Sequence, residues 1–146
     1  QMLDRFGLSV EVRTPQELAQ RIDIIKRRDA FERDPVGFLA QYEDSETEFK
    51  EKILSSRKRL AKVTVGDDVL TLATKLCAQL GTDGLRGELT LMRGMRALAA
   101  FDGARKATAE HLKRLAPLAL RHRLRRNPLD DSSSTTRVER VLADFF

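Results

Sequence analysis

The chain has 146 residues, of which 27 are Lys or Arg and 22 are Asp or Glu, which gives a formal net charge of +5. This length fits one domain, or one domain with an appendage, and a hydrophobic content of 41% excludes a disordered chain. The single cysteine, Cys77, excludes an intrachain disulfide framework and predicts a reducing, cytoplasmic compartment. Since no apolar run approaches the length of a membrane span, we expect no membrane insertion.

The first predicted element is a half-buried strand over residues 6–12. Phe6, Leu8, Val10 and Val12 alternate with small or polar residues, and this period of two is typical of a strand. One strand cannot bury its apolar face alone, and no other segment of the chain pairs with it. We therefore expect its sheet to lie in a part of a longer protein that precedes residue 1.

Seven helices are predicted after this strand, from apolar residues at helical spacing and from start and stop signals. Thr14 and Glu17 have the spacing of a capping box, while Asp67 and Thr108 are expected to cap later helices. Gly81 is expected as a left-handed helix stop. The predicted helices start near residues 14, 34, 43, 67, 85, 108 and 136, and the last three end near residues 101, 126 and 145.

These elements predict a mainly α fold in three parts. Residues 1–13 form the end of a core that carries the strand, 14–60 form a helical connector, and 61–146 form a C-terminal helical bundle. Cys77 lies on the apolar face of its helix and is expected to fill the core rather than react. Pro117 falls inside the sixth helix, where it removes one hydrogen bond and should kink the helix.

The residues do not contain a complete catalytic set. There is no Gly-rich phosphate loop followed by Lys and Ser or Thr, and no strand ends in paired carboxylates that could hold magnesium. His111 and His122 have no Cys or carboxylate at ligand spacing, so no metal site is predicted. The chain alone is therefore not expected to be a complete enzyme.

Positive charge is clustered in three runs. Two cover residues 26–28 and 57–59, and the largest extends from Lys113 to Arg126 without an acid. Such runs can bind phosphates, nucleic acid or an acidic partner, or they can be solvated helix faces whose last cations complement the helix dipole. No aromatic residues are interleaved for base stacking, which argues against a single-stranded nucleic acid.

Arg5, directly before the predicted strand, is a candidate catalytic residue. Its fixed charge and planar fork suit a phosphate whose charge grows during transfer, and a cation beside a strand end can reach a neighbouring subunit. The alternative is an ordinary surface pair with Asp4, which the residues taken alone favour.

Arg86, at the predicted start of the fifth helix, is a candidate anion-binding residue. Helix N-termini favour anions, so a cation at this position makes most sense with an anion in front of it. Gly84 and Gly87 on either side would let a ligand or another backbone approach closely. The alternative is a salt bridge with Glu88 or Asp83.

Three motifs together give the chain a resemblance to a known family. They are residues 3–8 (LDRFGL), 83–89 (DGLRGEL) and 120–129 (LRHRLRRNPL). The chain resembles the ATPase subunit I of magnesium chelatase, an AAA+ family, over essentially its whole length, and most closely the form found in bacteriochlorophyll pathways.

The resemblance implies a fold, an activity and partners. It implies a C-terminal AAA+ lid domain, a connector and the end of an ATPase core, with ATP and Mg²⁺ as cofactors and an oligomeric ring as the assembly. Together with subunits D and H, such a ring forms an ATP-dependent, ligase-type enzyme that inserts Mg²⁺ into protoporphyrin IX on the way to (bacterio)chlorophyll. The family's phosphate loop, magnesium carboxylates and first sensor would precede residue 1, so we do not expect the chain alone to hydrolyse ATP.

The resemblance also implies roles for three residues. Arg5 corresponds to the arginine finger that acts across the subunit interface, and Asp4 to the residue that orients the finger or bridges subunits. Arg86 corresponds to the second sensor, which contacts nucleotide phosphates and links them to lid movement. The run Arg121 to Arg126 receives no nucleotide role from the resemblance.

Two other interpretations remain open at this point. The chain could be the lid of another AAA+ motor, of a helicase or replication type, whose basic residues contact DNA; steeply salt-dependent oligonucleotide binding would indicate this. It could also be a non-enzymatic helical interaction module, which would bind a protein partner regardless of nucleotide.

Overall fold

The computed structural model describes residues 5–82, 84–124 and 134–146, and within these ranges the chain is mainly helical, as predicted. The described residues contain no sheet, and their two isolated β-bridges join Thr64 to Lys106 and Thr82 to Leu124. No described helix is long and apolar enough to span a bilayer. The helices are α1 Leu18–Arg33, α2 Pro35–Ala40, α3 Glu43–Leu60, α4 Asp67–Leu80, α5 Arg86–Phe101, α6 Ala109–Leu120 and α7 Ser134–Phe145.

The chain divides into two compact units. One comprises Gln1–Val10 together with Ser56–Phe146, and the other comprises Glu11–Ser55. The first unit thus joins the N-terminal segment to the helices from the end of α3 onward. The division predicted from the sequence, at residues 13 and 60, remains a prediction.

The strand predicted over residues 6–12 is not present in the structure. Residues 6 and 7 form a bend, and residues 8–12 are neither helix nor strand. A strand exists only when a second strand accepts and donates its backbone hydrogen bonds, and no described segment does so. The alternating apolar face is accordingly exposed, with Val10 at 70% and Val12 at 90% of their full accessible surface.

The core of the first unit lies between α4, α5, α6 and α7. Each helix contributes apolar residues three or four positions apart, so that one face of each is buried. Cys77 is fully buried among them, as the sequence predicted. The other largest fully buried side chains are Leu76, Leu80, Leu91, Met95, Leu112, Leu120 and Val138.

Helices α5 and α6 approach each other closely at Gly94. A Cβ atom added to this glycine would lie 3.1 Å from Leu115 Cδ1 and closer still to Leu115 Cδ2. Since Leu115 is buried on α6, the glycine leaves the space that this leucine fills.

The second unit contains α1, α2 and most of α3. Asp34 caps α2, because its carboxylate accepts a hydrogen bond from Gly37 N at 2.9 Å. The rings of Phe31 and Phe38 pack edge to face with centroids 5.8 Å apart, and Tyr42 follows at 5.2 Å from Phe38. These contacts join the end of α1 to α2.

Three of the predicted helix starts differ in the structure, and one of them is α7, which begins at Ser134 instead of near residue 136. Helix α1 begins at Leu18 instead of near Thr14. Glu17 is its N-cap residue, and the Glu17 carboxylate accepts from Gln20. Helix α4 is capped by Gly66, which makes Asp67 its first residue rather than its cap. Gly81 ends α4 with a φ of 67°, the left-handed stop that the sequence predicted.

Helix α6 begins as predicted but ends early. Thr108 is its N-cap, and His111 Nδ1 lies 3.0 Å from Thr108 N and 2.7 Å from Thr108 Oγ1. Pro117 lies inside the helix, which stops at Leu120 instead of continuing to about residue 126. The reason is a set of tertiary contacts at the helix end, which belong to the site described next.

Candidate functional site

The segment that carries Arg5 lies against the C-terminal end of α6. Arg5 itself is exposed, and the two residues after it form the bend that contacts the helical unit. Asp4, the other predicted catalytic residue, lies outside the described residues. The structure therefore fixes the backbone on one side of Arg5 and leaves its side chain accessible.

Arg123 makes the principal contact with this segment. Its guanidinium donates from NH2 to Phe6 O at 2.8 Å and from NH1 to Gly7 O at 3.1 Å. The same NH1 group donates to Ala119 O at 2.6 Å, within the last turn of α6. The side chain is only 9% exposed, so that one buried cation bridges two chain segments that are far apart in sequence.

The last four carbonyl groups of α6 all have partners, which explains where the helix ends. A helix leaves these carbonyls without intrahelical donors. Arg121 Nε donates to Pro117 O, Ser9 N to Leu118 O, the Arg123 side chain to Ala119 O, and Arg123 N to Leu120 O. The distances range from 2.6 to 2.9 Å. A further helical turn would displace these donors.

Arg86 occupies the first position of α5, at the helix start that the sequence predicted, and its side chain is exposed. The hydroxyl of Thr90, one turn later, donates to Arg86 O at 2.8 Å. Asp83, one of its predicted salt-bridge partners, lies outside the described residues, so this alternative for Arg86 stays open. The helix start nevertheless places a cation beside exposed backbone amides.

Gly87 serves the packing of helices rather than the approach of a ligand. It is buried, and a Cβ atom added to it would lie 3.3 Å from Cys77 Sγ and 3.4 Å from Leu120 Cδ2. The start of α5 thus packs against both α4 and the end of α6. Gly84, the other flanking glycine, has a φ of 64° with open space around it, and it makes the turn into α5.

The two arginine-bearing segments meet at one end of the helical unit. Gly87, next to Arg86, packs on Leu120, and Leu120 immediately precedes the turn that holds Arg123. On the other side, Gly7 faces the methyl group of Thr90 at 3.9 Å from its ideal Cβ position. The sequence alone could not bring residues 5–7 and 86–90 together, because they are some 80 residues apart.

The thiol of Cys77 lies in the core beneath this end. Its pKa is raised to about 11, chiefly by burial and also by nearby Glu88, while the Thr82 hydroxyl and Arg123 act in the opposite direction. A thiol with this pKa is protonated at neutral pH and is a poor nucleophile. Cys77 is therefore a core residue and not a catalytic one.

Several members of the basic runs cap helices instead of facing solvent. Arg59 donates through Nε and NH2 to Ala100 O near the end of α5, at 3.2 and 3.0 Å. Arg121 and Arg123 do the same for α6. Residues 125 and 126 lie outside the described residues. The role of Arg123 was not predicted from the sequence, although a cation just beyond a helix end is a recognisable sign of carbonyl capping.

Among the residues that the structure describes, no group of His, Cys, Asp or Glu is arranged to hold a metal ion. The candidate site therefore consists of an exposed cation at each of two adjoining segments, which is an arrangement suited to polyanionic ligands such as phosphates.

The fold and these segments place the chain in a class. The chain belongs to the AAA lid domain family, whose model matches residues 70–142, half of the chain. A solved structure of a candidate ATPase from Cytophaga hutchinsonii superposes with a TM-score of 0.65, covering 97% of this chain and 46% of that one. At 17% identity this likeness supports the fold alone.

Three curated relatives of the chain are subunits of one enzyme, which is a narrower group than the AAA lid family. The chain is 53% identical over all 146 residues to the magnesium-chelatase 38 kDa subunit of Acidiphilium rubrum, covering 42% of that protein. It is 49% identical over 144 residues to the subunit of the same name from Rhodobacter capsulatus, covering 41% of it. A magnesium-chelatase subunit ChlI from Guillardia theta is 37% identical over 146 residues. The chain thus spans about two fifths of the length of the curated relatives it matches.

Proposed function

We propose that this chain is the C-terminal part of the AAA+ ATPase subunit of magnesium chelatase. In the complete protein, ATP hydrolysis would drive insertion of Mg²⁺ into protoporphyrin IX, an ATP-dependent, ligase-type reaction of (bacterio)chlorophyll synthesis. The observation that carries this proposal is the 53% identity to a magnesium-chelatase 38 kDa subunit over the whole chain. The helical bundle of residues 61–146 is the lid, 14–60 the connector, and 1–13 the end of the ATPase core.

The proposal assigns ATP and Mg²⁺ as cofactors and a cytoplasmic, homo-oligomeric ring as the working form. Subunits D and H are the partners, and H carries the porphyrin. The Mg²⁺ that enters the porphyrin is substrate, whereas the Mg²⁺ bound with ATP belongs to residues outside this chain. Because the phosphate loop is also outside it, the chain on its own is inactive.

In this function Arg5 is the arginine finger. Its exposed side chain extends from a fixed backbone and reaches the ATP of the neighbouring subunit, where its charge stabilises the phosphoryl group in transfer. Asp4 orients the finger or bridges the two subunits. No resident metal is assigned to these residues.

Arg86 is the second sensor, and it contacts the phosphates of ATP bound to its own subunit. Its place at the start of α5 supports this role, since the helix amides and the cation can face the same anion. Loss of the γ-phosphate removes that anion, the lid rotates, and the motion passes to the porphyrin-bearing subunit.

The first test replaces Arg5 in the complete protein. Arg5→Ala should lower ATP turnover by about 10³-fold or more, because the charge stabilises only the transition state, and should leave ATP affinity nearly unchanged. Steady-state hydrolysis and equilibrium binding of a nucleotide analogue measure the two effects. The matched control is Arg13→Ala, which removes another exposed arginine that pairs with Glu11. Turnover of Arg5→Ala rings at the parent rate would overturn the finger assignment.

The second test replaces Arg86. We expect Arg86→Ala to reduce metal insertion by about 10-fold or more per ATP hydrolysed, because lid movement is no longer tied to the phosphates. The readout is Mg-protoporphyrin formed with subunits D and H, divided by phosphate released. Arg93→Ala, an exposed arginine on the same helix, is the control. An unchanged ratio for Arg86→Ala would contradict the sensor role.

A further inference from the structure

We propose that Arg123 is a positioning residue that fixes the arginine-finger segment to the lid and thereby couples adjacent ATP sites in the ring. The inference deepens the proposed function and rests on it, because it takes Arg5 as the finger and Arg86 as the sensor. Neither the motifs nor the family resemblance gave Arg123 a role.

The geometry of Arg123 suits a clamp. One guanidinium contacts three carbonyls, Phe6 O at 2.8 Å, Gly7 O at 3.1 Å and Ala119 O at 2.6 Å. Hydrogen bonds from an ionised donor are stronger than neutral ones, and burial of this cation to 9% exposure strengthens them further. Only a planar fork offers several N–H groups in fixed directions, which a lysine ammonium does not.

Two other contacts reinforce the same junction. Ser9 N donates to Leu118 O at 2.8 Å, and His122 Nε2 lies 2.9 Å from Phe6 O. The carbonyl of Phe6, one peptide unit after Arg5, is therefore held by two side chains from the turn that follows α6. The exposed Arg5 side chain extends from a backbone that moves with this turn.

The turn that follows α6 also contacts α5, the helix that carries Arg86. Leu120 packs against Gly87 at the start of α5, and Leu124 forms a β-bridge with Thr82 at the beginning of the α4–α5 connection. The sensor and the finger are consequently mounted on one packed end of the same unit.

In a ring, placing the sensor and the finger on one packed unit would couple neighbouring ATP sites. Arg86 responds to the nucleotide of its own subunit, whereas Arg5 acts on the nucleotide of the next. A lid that rotates when its own γ-phosphate leaves would carry Phe6 and Gly7 with it through Arg123, and would move Arg5 relative to the neighbouring ATP. Hydrolysis at one site would thus set the readiness of the adjacent site.

The direct test uses Arg123→Lys in the complete protein, with Arg121→Lys as the matched control. Arg121 caps the same helix end through Pro117 O, so both variants change a cap. Of the two arginines, Arg123 is the one whose bonds to the carbonyls of Phe6 and Gly7 are tested. We expect Arg123→Lys to lower kcat for ATP by about 10- to 100-fold, since small misplacements of a catalytic group cost this much. KM for ATP should remain within about threefold, and the Hill coefficient for ATP should fall toward one.

A mixed-ring experiment separates positioning from a general structural effect. Subunits without the phosphate-loop lysine cannot hydrolyse their own ATP but still offer a finger. If Arg123→Lys acts through the finger, adding such subunits should restore hydrolysis to Arg123→Lys subunits, as it should to Arg5→Ala subunits. Subunits that lack the phosphate-loop lysine and also carry Arg123→Lys should not restore hydrolysis to either variant, because their own finger is misplaced.

Each outcome decides between the two proposals. Full activity of Arg5→Ala would overturn the proposed finger itself. If Arg5→Ala loses activity but Arg123→Lys keeps the parental kcat and Hill coefficient, only the coupling role of Arg123 is overturned. A raised KM at unchanged kcat in Arg123→Lys would overturn it too. If Arg123→Lys fails to fold, as judged by its melting temperature, Ser9→Pro disrupts the same junction from the other side by removing the bond to Leu118 O. Parental kcat and cooperativity in Ser9→Pro would then overturn the inference.

Discussion

At the scale of single residues, arginines near helix ends do more than complement the helix dipole. Arg59 and Arg123 each donate to a carbonyl at the end of a helix that is not continued, and Arg123 also holds a second segment of the chain. Arg123 supplies a donor to the Ala119 carbonyl, whereas the Ala100 carbonyl accepts from Gly103 N as well as from Arg59. The charge of both arginines remains, but several of their N–H groups are engaged within the fold and are not available to a polyanionic partner.

The pKa of Cys77 predicts how stability depends on pH. The folded value of about 11 exceeds the ordinary 9.0, chiefly because the thiol is buried. Between these values the unfolded chain releases the proton while the folded chain keeps it, so stability falls as pH rises, and below pH 9 the group contributes nothing to this dependence. The expected slope is about 1.4 kcal/mol per pH unit for this group alone.

Comparison with Cys77→Ala isolates this effect, because the lysines and the tyrosine titrate in both proteins. Urea unfolding at several pH values from 8 to 11 should show the advantage of the parent chain over Cys77→Ala shrinking above pH 9. A difference in unfolding free energy that stays constant over this range would mean that the thiol is not buried as described.

At the scale of elements, the contact between α5 and α6 predicts the effect of a single methyl group. Gly94→Ala should gain up to about 1 kcal/mol in helix propensity but cost about 1–3 kcal/mol in overpacking, because Leu115 is buried and has little room to move. We expect a net destabilisation, measured as a lower urea midpoint.

A double-mutant cycle with Leu115→Ala tests the cause of this destabilisation. Once the leucine is shortened, Gly94→Ala should become neutral or stabilising, since the two groups compete for the same space. Equal costs of Gly94→Ala in both backgrounds would contradict the clash.

The helices could be predicted from the sequence because their signals are local. Apolar spacing, the Asp34 and Thr108 caps and the glycine at position 81 act within a few residues of each other, and all seven helices are present. The strand over residues 6–12 could not be settled in this way, since the pattern shows alternation but not whether a partner strand exists. The end of α6 depends on donors from Ser9 and Arg123, which no local pattern reveals.

The candidate site was predictable only in part, for the same reason. The position of Arg86 at a helix start follows from nearby residues, and the structure places it there. The catalytic roles of Arg5, Asp4 and Arg86 came from family resemblance and remain predictions. The attachment of residues 6 and 7 to Arg123 joins segments about 116 residues apart in the sequence, and only the folded chain brings them together.

At the scale of the whole molecule, the packed end of the helical unit connects the proposed sensor, Arg86, with the proposed finger, Arg5. In a ring these two residues would act at different ATP sites. Each subunit would sense its own nucleotide and act on that of its neighbour, and a rigid junction between these functions makes hydrolysis sequential rather than independent. Without the junction, each site would turn over at a rate set by its own nucleotide alone. If Arg123 acts as proposed, cooperativity between the sites of the ring would depend on how α6 ends as well as on the ATP site.

The hydrogen bonds that arginines make within the fold predict how strongly the chain binds nucleic acid. This binding distinguishes a magnesium-chelatase subunit from a DNA motor. At least half of the twelve cations in the three runs already have partners within the chain. Arg59, Arg121 and Arg123 donate to backbone carbonyls, and Arg27, Arg28 and Arg114 pair with carboxylates. We expect only weak binding to a 20-nucleotide duplex or single strand at 150 mM salt, with a dissociation constant above about 10 μM, as in non-specific association. Fluorescence anisotropy between 50 and 200 mM salt measures it. Submicromolar affinity with a change of about 10³-fold or more over this range would indicate six or more phosphate contacts and would favour the DNA motor instead.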